Sequence, residues 1–344
     1  MTVPELLARN RSLVEAEMRT VLAGRDLPIY DMARYALGWQ EANGHVLENG
    51  GGKGLRPALC LLTADAVDGS EPARRRALAG AAAVEFVHNY SLVHDDIQDG
   101  DEERHHRPTV WMQWGTAQGI NVGDALRELA QLALDRAQAA GASADTVLAA
   151  HRILSASALE MIEGQYLDLT FEGAADVTVD DYLSMIGRKT GAMIGCSMAL
   201  GALLACGDEQ VAARLNAAGR RLGLCFQIRD DFLGIWGDSA RTGKSSDNDI
   251  RRRKKSYPVV YAFAAAGAAE RATLDQSYAR ADLSADAVEA VMGVLTTLGA
   301  DKATEQAARE QRDAFERELA ACELSPEARG TCLDVAEFIL RREH

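Results

Sequence analysis

The 344 residues are 47% hydrophobic, enough for a sizeable core, and 51 acidic against 37 basic side chains give a formal charge of −14. That balance, with no basic arm, excludes a nucleic-acid binder, whose phosphate contacts need the opposite sign. An anionic substrate must instead be met by local cations or bound metal.

The amino-terminal stretch MTVPELLARNRSLVEAEM is charged throughout and lacks the apolar core of a signal peptide. Strand signals are nearly absent. Apolar residues recur at three- and four-residue spacings in residues 12–23, 56–67, 74–99, 121–139, 144–165 and 179–205. The pattern resumes in 209–234, 258–266, 285–297, 302–322 and 326–342, which predicts about ten helices and an all-α chain. No low-complexity linker divides them, so residues 1–344 are expected to form a single all-helical domain. Residues 190–206 carry no charge, but their Gly, Ala, Ser and Met content suits a buried bundle helix better than a transmembrane segment. Three polar breaks stand out: the glycine-rich HVLENGGGKG, the charged GDEERHHRPT and the long GDSARTGKSSDNDIRRRKKS. Long polar loops in compact domains are often functional. The six cysteines (Cys60, Cys196, Cys206, Cys225, Cys322 and Cys332) form no C-x-x-C pair and lie in apolar runs. They predict reduced core thiols and a cytoplasmic protein.

Two acidic clusters end apolar helices. In the first, Asp95-Asp96-Ile97-Gln98-Asp99, the carboxylates of Asp95 and Asp99 share a helix face one turn apart. They repel each other unless a cation sits between them. Hard oxygen ligands in this arrangement suit Mg²⁺, which completes its shell with water and substrate phosphates. The second cluster, Asp230-Asp231-Phe232-Leu233-Gly234, follows another apolar run, with Gln227 one turn earlier. Two such pairs could clamp a polyphosphate through several Mg²⁺ ions. Lys53 and Arg56 sit in GGKGLRP at a helix start, where backbone N–H groups also favour a diphosphate. Arg104 and Arg107 follow the first cluster, Lys244 and Lys254 the second, and Lys189-Thr190 precedes the uncharged run.

In the order GGKGLRP, HNYSLVHDDIQDGD, RHHRPTVW, GQYLD, KTG, FQIRDD, TGK and DIRRRKKS, these motifs resemble the trans-type polyprenyl diphosphate synthases, the family of farnesyl and geranylgeranyl diphosphate synthases. The resemblance implies an isoprenoid synthase fold, a single large helical bundle around a central cavity, in a homodimer. It implies Asp95, Asp99 and Asp230 as ligands of about three Mg²⁺ ions, with Asp96 and Asp231 in support. Arg104, Lys189 and Lys244 resemble the grip on an allylic diphosphate. Lys53, Arg56 and His88 resemble the pocket for isopentenyl diphosphate. Thr190 and Gln227 match polar residues near the reacting carbons, Lys254 a lysine on the diphosphate side, and Gln165 and Asp168 residues behind the metals.

Two positions depart from the family pattern. Gly234 stands where many members carry a third aspartate, and His105 where an arginine usually meets isopentenyl diphosphate, with Arg107 as a candidate substitute. Tyr90, five residues before Asp95, resembles the bulky floor that limits product length to geranylgeranyl or farnesyl diphosphate. Two alternatives remain open. A class I terpene cyclase would share the first aspartate motif, and a non-catalytic regulatory subunit of a prenyl synthase would share the fold.

Overall fold

Helices begin where the sequence supplies a cap. The computed structural model describes residues 2–47, 52, 54–237, 248–279 and 283–342. Helix α1 (Val3–Leu22) starts well before the apolar periodicity at residue 12, because Thr2 and Glu5 form a reciprocal capping box and Pro4 occupies the first turn. Helix α2 (Pro28–Ala36) was not foreseen, being short and bounded by loops. Helix α3 (Leu55–Asp68) begins after Gly54, whose φ of 64° only glycine adopts freely. Helix α4 (Glu71–Gln98) is capped by the Ser70 hydroxyl, buries a run of alanines, and packs along α3 and α6 (Thr116–Ala139).

The charged loop after α4 folds into a two-stranded hairpin, β1 (Glu103–Arg104) paired antiparallel with β2 (Arg107–Pro108). The two-residue turn is His105-His106, both left-handed at φ 53° and 59°, the mirror-type turn that suits hairpin twist. Short helix α5 (Val110–Trp114) follows. Then come α7 (Ala144–Glu172), α8 (Val179–Ile186), a π-helical turn (Gly187–Gly191), α9 (Ala192–Cys206) and α10 (Glu209–Trp236). The continuous helix expected over 179–205 is thus interrupted by the π-turn at Lys189-Thr190. The run Val179–Cys206 is long and apolar enough to cross a membrane, but 89% of its apolar window is buried within the protein. The remaining described helices are Asn248–Arg251, Tyr257–Ala265, Ala268–Tyr278, Ala285–Thr297, Ala300–Ala320 and Pro326–Arg341.

The chain groups into two compact units, one of residues 1–156 and 196–213, the other of 157–195 and 214–344. The boundaries fall inside α7, α9 and α10, with no linker at any of them. In the first unit Arg76 donates to the carbonyls of Leu204 and Ala205, meeting the negative end of α9. In the second, Ile235, Ile250, Val259, Leu274, Val291 and Leu295 form one apolar core, and Tyr182, Ile186, Ile228 and Val260 belong to another. All six cysteines are free, and five are buried as expected. Cys206 is the correction. It is the last residue of α9 and is exposed, since the helix end leaves the core there.

Candidate active site

In the first unit, α4 carries the first acidic cluster at its carboxyl end. Asp96 is 4% exposed and accepts from Arg104 Nε at 2.7 Å. Burial pushes its carboxyl up to about 6, against the pull of Arg104. Asp95 is half-buried and Asp99 exposed, so the helix turns one carboxylate inward and presents two outward. The hairpin aims Arg104 at α4, and its base is fixed by Thr109 and Trp111 donating to the Asp101 carbonyl.

A second group gathers at the start of α3. Arg56 Nη1 donates to His88 Nε2 at 3.3 Å. Burial, together with the charges of Arg56, Arg104 and His105, holds the His88 imidazole well below its usual range and therefore neutral. Arg56, His88, Arg104 and His105 thus share one electrostatic neighbourhood, although His105 is exposed on its turn. Glu85, one turn before His88 on α4, is half-buried beside Arg56, and burial raises its carboxyl. A small cleft opens there, lined by Arg11, Glu15, Gly52, Gly54, Glu85 and Asn89. Lys53 lies outside the described residues.

Arg107 points elsewhere. Its guanidinium donates to the Tyr35 and Gln40 carbonyls at 3.3 and 2.7 Å and stacks 4.0 Å over the Tyr35 ring. It ties the hairpin to the end of α2. Tyr90 is buried in α4 edge-on to His94, ring centroids 5.7 Å apart. Its hydroxyl has no hydrogen-bond partner among the described residues, and burial pushes its phenol up to about 12.

In the second unit, α10 repeats the pattern of α4. Asp231 is 2% exposed and fully engaged. Its carboxylate accepts from the Tyr182 hydroxyl at 2.5 Å, from the Tyr257 amide at 2.8 Å and from Gln227 Nε2 at 3.0 Å. The Tyr257 amide opens a helix, so Asp231 also serves as an anion at that helix's positive end. Burial still pushes Asp231 up to about 6, against Lys254, Tyr182 and Tyr257. Asp230, with 55% of its side chain exposed, accepts from Arg342 Nη2 at 3.0 Å.

The π-turn delivers two further residues. Lys189 donates to Asp168 at 2.6 Å, and Thr190 donates to Gln227 Oε1 at 2.8 Å. Burial opposes the Asp168 carboxylate, but Lys189 and Lys254 hold it below its usual value. Gln165 is buried one turn before Asp168 on α7. These contacts need close backbone approach. A Cβ on Gly164 would overlap the Lys189 amide nitrogen and lie 2.6 Å from its Cα, and one on Gly223 would lie 2.6 Å from Gly191 Cα. Burial opposes the Lys254 ammonium, yet the carboxylates of Asp249, Asp231, Asp168 and Asp230 raise it above its ordinary value. Lys244 lies outside the described residues.

Among the described residues, no three His, Cys, Asp or Glu side chains converge closely enough to hold a metal ion unaided. The outward donors Asp95, Asp99 and Asp230 are all carboxylates. That set fits a hard divalent cation taking one or two protein ligands and completing its shell from water and substrate. Sequence reasoning missed Tyr182, Glu85, Asp249 and Arg342. Asp249 lay within a motif already singled out. Tyr182 and Arg342 gave no signal, because their carboxylate partners are 49 and 112 positions away.

A family model for polyprenyl synthetase matches residues 39–295. The chain is 41% identical over 271 residues to a (2E,6E)-farnesyl diphosphate synthase of Mycobacterium tuberculosis, covering 78% of this chain and 73% of that protein. It is 38% identical over 341 residues to a geranylgeranyl diphosphate synthase of the same organism, covering 98% and 93%. Among solved structures, a polyprenyl synthetase from Streptomyces coelicolor A3(2) superposes with a TM-score of 0.89 at 38% identity, covering 98% of this chain and 99% of that one.

Proposed function

From the premise that the chain belongs to the polyprenyl synthetase family of prenyltransferases, we propose that it condenses isopentenyl diphosphate with an allylic diphosphate to make geranylgeranyl or farnesyl diphosphate. Its all-helical architecture is the isoprenoid synthase fold. The observation that carries the reading is the common build of the two acidic clusters. In each, one aspartate (Asp96 or Asp231) is buried and hydrogen-bonded, its neighbour is turned outward, and a cation stands beside the pair.

Asp95, Asp99 and Asp230 would hold Mg²⁺, which when bound supplies Lewis-acid stabilisation to a departing diphosphate. Arg104 and Lys189, already oriented by Asp96 and Asp168, bind the allylic diphosphate and are joined by Lys244 and Lys254. As its C–O bond ionises, these fixed charges meet the negative charge growing on the leaving group without reorganising. Lys53, Arg56 and His88 bind the diphosphate of the homoallylic partner. With Nε2 accepting from Arg56, the neutral His88 ring keeps Nδ1–H as a donor. The homoallylic double bond attacks the allylic cation, and the proton lost goes to the released diphosphate. The Thr190 hydroxyl, committed to Gln227, leaves its oxygen lone pairs near the developing cation. Arg107 is a hairpin strut in this scheme, so His105 carries the homoallylic side of the turn.

We place the whole chain in one catalytic domain acting in the cytoplasm as a homodimer. Exposed apolar side chains on α6 (Ile120, Leu132) and α7 (Leu159, Ile162, Tyr166) support a protein contact. The reading is tested by chelation and by Asp95→Ala, Asp99→Ala and Asp230→Ala. Each should cut turnover by orders of magnitude while helical circular dichroism is unchanged, because each removes a ligand and leaves diphosphate charge uncompensated. Full activity after chelation, or in Asp95→Ala, contradicts it.

A further inference from the structure

Two lysines stand side by side in the second unit, and their side chains diverge. Lys254 faces the carboxylates of Asp249, Asp231, Asp168 and Asp230. Lys255 turns into an aromatic cage. Its Nζ lies 4.9 Å from the Phe263 ring centroid and 4.7 Å from that of Tyr278, and the two rings meet edge to face at 5.4 Å. Both distances fall within the roughly 6 Å over which a ring face attracts a cation. Lys255 is 6% exposed, and burial, with the charges of Arg253 and Arg271, lowers its ammonium below the ordinary value. The carboxylates acting in its favour, Asp275 and Asp176, are both engaged by Arg271. That leaves the two ring faces to compensate a buried charge.

The cage has a firm base. Phe263 and Tyr278 belong to the helices Tyr257–Ala265 and Ala268–Tyr278, and both pack against the core of Ile235, Ile250, Val259 and Leu274. Residues 254–256 lie between two helices, and Ser256, at the cap position, makes no side-chain capping bond. Toward the cluster this segment is held by Lys254 N donating to the Asp249 carbonyl at 2.9 Å and by Tyr257 N donating to Asp231 at 2.8 Å. On its other side it is held by Lys255.

We propose that Lys255 is a positioning residue, whose cage fixes residues 254–256 so that the Lys254 ammonium stays aimed at the second acidic cluster. Lys255 itself touches no substrate. The inference deepens the proposed function and rests on the role given there to Lys254 in binding the allylic diphosphate. It asks for a cation and two rings at this place rather than for a volume. Methionine at 255 would keep most of the length and lose the attraction, whereas arginine would keep both.

The test is steady-state kinetics of the full chain, with thermal melting as the folding control. Lys255→Met should raise the KM for the allylic diphosphate about tenfold and leave that for isopentenyl diphosphate unchanged. Tyr278→Leu, which removes a ring without touching the lysine, should do the same, and Lys255→Arg should restore the parental KM. The double variant Lys254→Met with Lys255→Met should be no worse than Lys254→Met alone, since the anchor then has nothing left to aim. A parental allylic KM in Lys255→Met, equal rises for both substrates, no recovery with arginine, or additive losses in the double variant overturns the inference. Lys254→Met is also the control on the underlying reading. If the parent chain elongates no allylic diphosphate, or Lys254→Met keeps the parental allylic KM, that reading falls and takes this inference with it.

Discussion

Adjacent aspartates in a helix point about 100° apart, and both clusters use that divergence to split one pair into two roles. Asp96 and Asp231 are the buried members; Asp95, Asp99 and Asp230 are the outward ones. The residue types and spacing were legible in the sequence, because carboxylates at i and i+4 share a face whatever the tertiary context. Their partners were only partly legible. Arg104 and Lys189 lie close to motifs that announce them, whereas Tyr182 reaches Asp231 from another helix. The fate of Arg107 was not readable either, since its acceptors are backbone carbonyls of Tyr35 and Gln40. Tyr90 carries the prediction that belongs at this scale. It lies about 7.5 Å along α4 from Asp95, at ~1.5 Å per residue. Its phenol is buried, and the hydroxyl has no hydrogen-bond partner among the described residues. Tyr90→Ala should shift the products to longer chains, seen by chromatography of the dephosphorylated alcohols. An unchanged distribution removes Tyr90 as the floor.

Helix identity was written in the apolar periodicity, but helix ends were written in caps and glycines. Residues 285–297 were read with the boundaries the structure shows, because a clean apolar stripe there begins after Ser284 and ends before Gly299. The early start of α1 and the short helix Ala268–Tyr278 escaped, since their exposed faces dilute the stripe. The hairpin was hidden because His-His is an unusual pair for a left-handed turn. The π-turn was hidden because the elements packed closely against it lie far away in the sequence. Gly164 lets α7 approach the Lys189 backbone, and Gly223 lets α10 approach Gly191. Gly164→Ala must therefore push α7 from the turn and pull Lys189 out of register with Asp168. Overpacking of this kind costs about 1–3 kcal/mol. The melting temperature should fall, and the KM for the allylic diphosphate should rise more than that for isopentenyl diphosphate. Parental melting with parental KM values for both substrates would show that the close approach does not position Lys189.

At the scale of the molecule, apolar periodicity and the near absence of strand signals called for an all-α chain, and the described residues are helical apart from the one hairpin, a lone bridge between Gln40 and Val46 and connecting segments. The division into two compact units was not legible, because no linker marks it and the boundaries cut through helices. Acidity has a consequence at this scale too. A chain of formal charge −14 repels a diphosphate at long range, so capture depends on the few cations placed beside the clusters and on bound metal. The most direct measurement of the central claim is product analysis. The purified chain is incubated with Mg²⁺, radiolabelled isopentenyl diphosphate and, in turn, dimethylallyl, geranyl or farnesyl diphosphate. The account predicts label in a longer allylic diphosphate, with geranylgeranyl or farnesyl diphosphate as the main product and none without an allylic primer. A cyclised hydrocarbon formed from the primer alone, or no turnover with any primer, would contradict it.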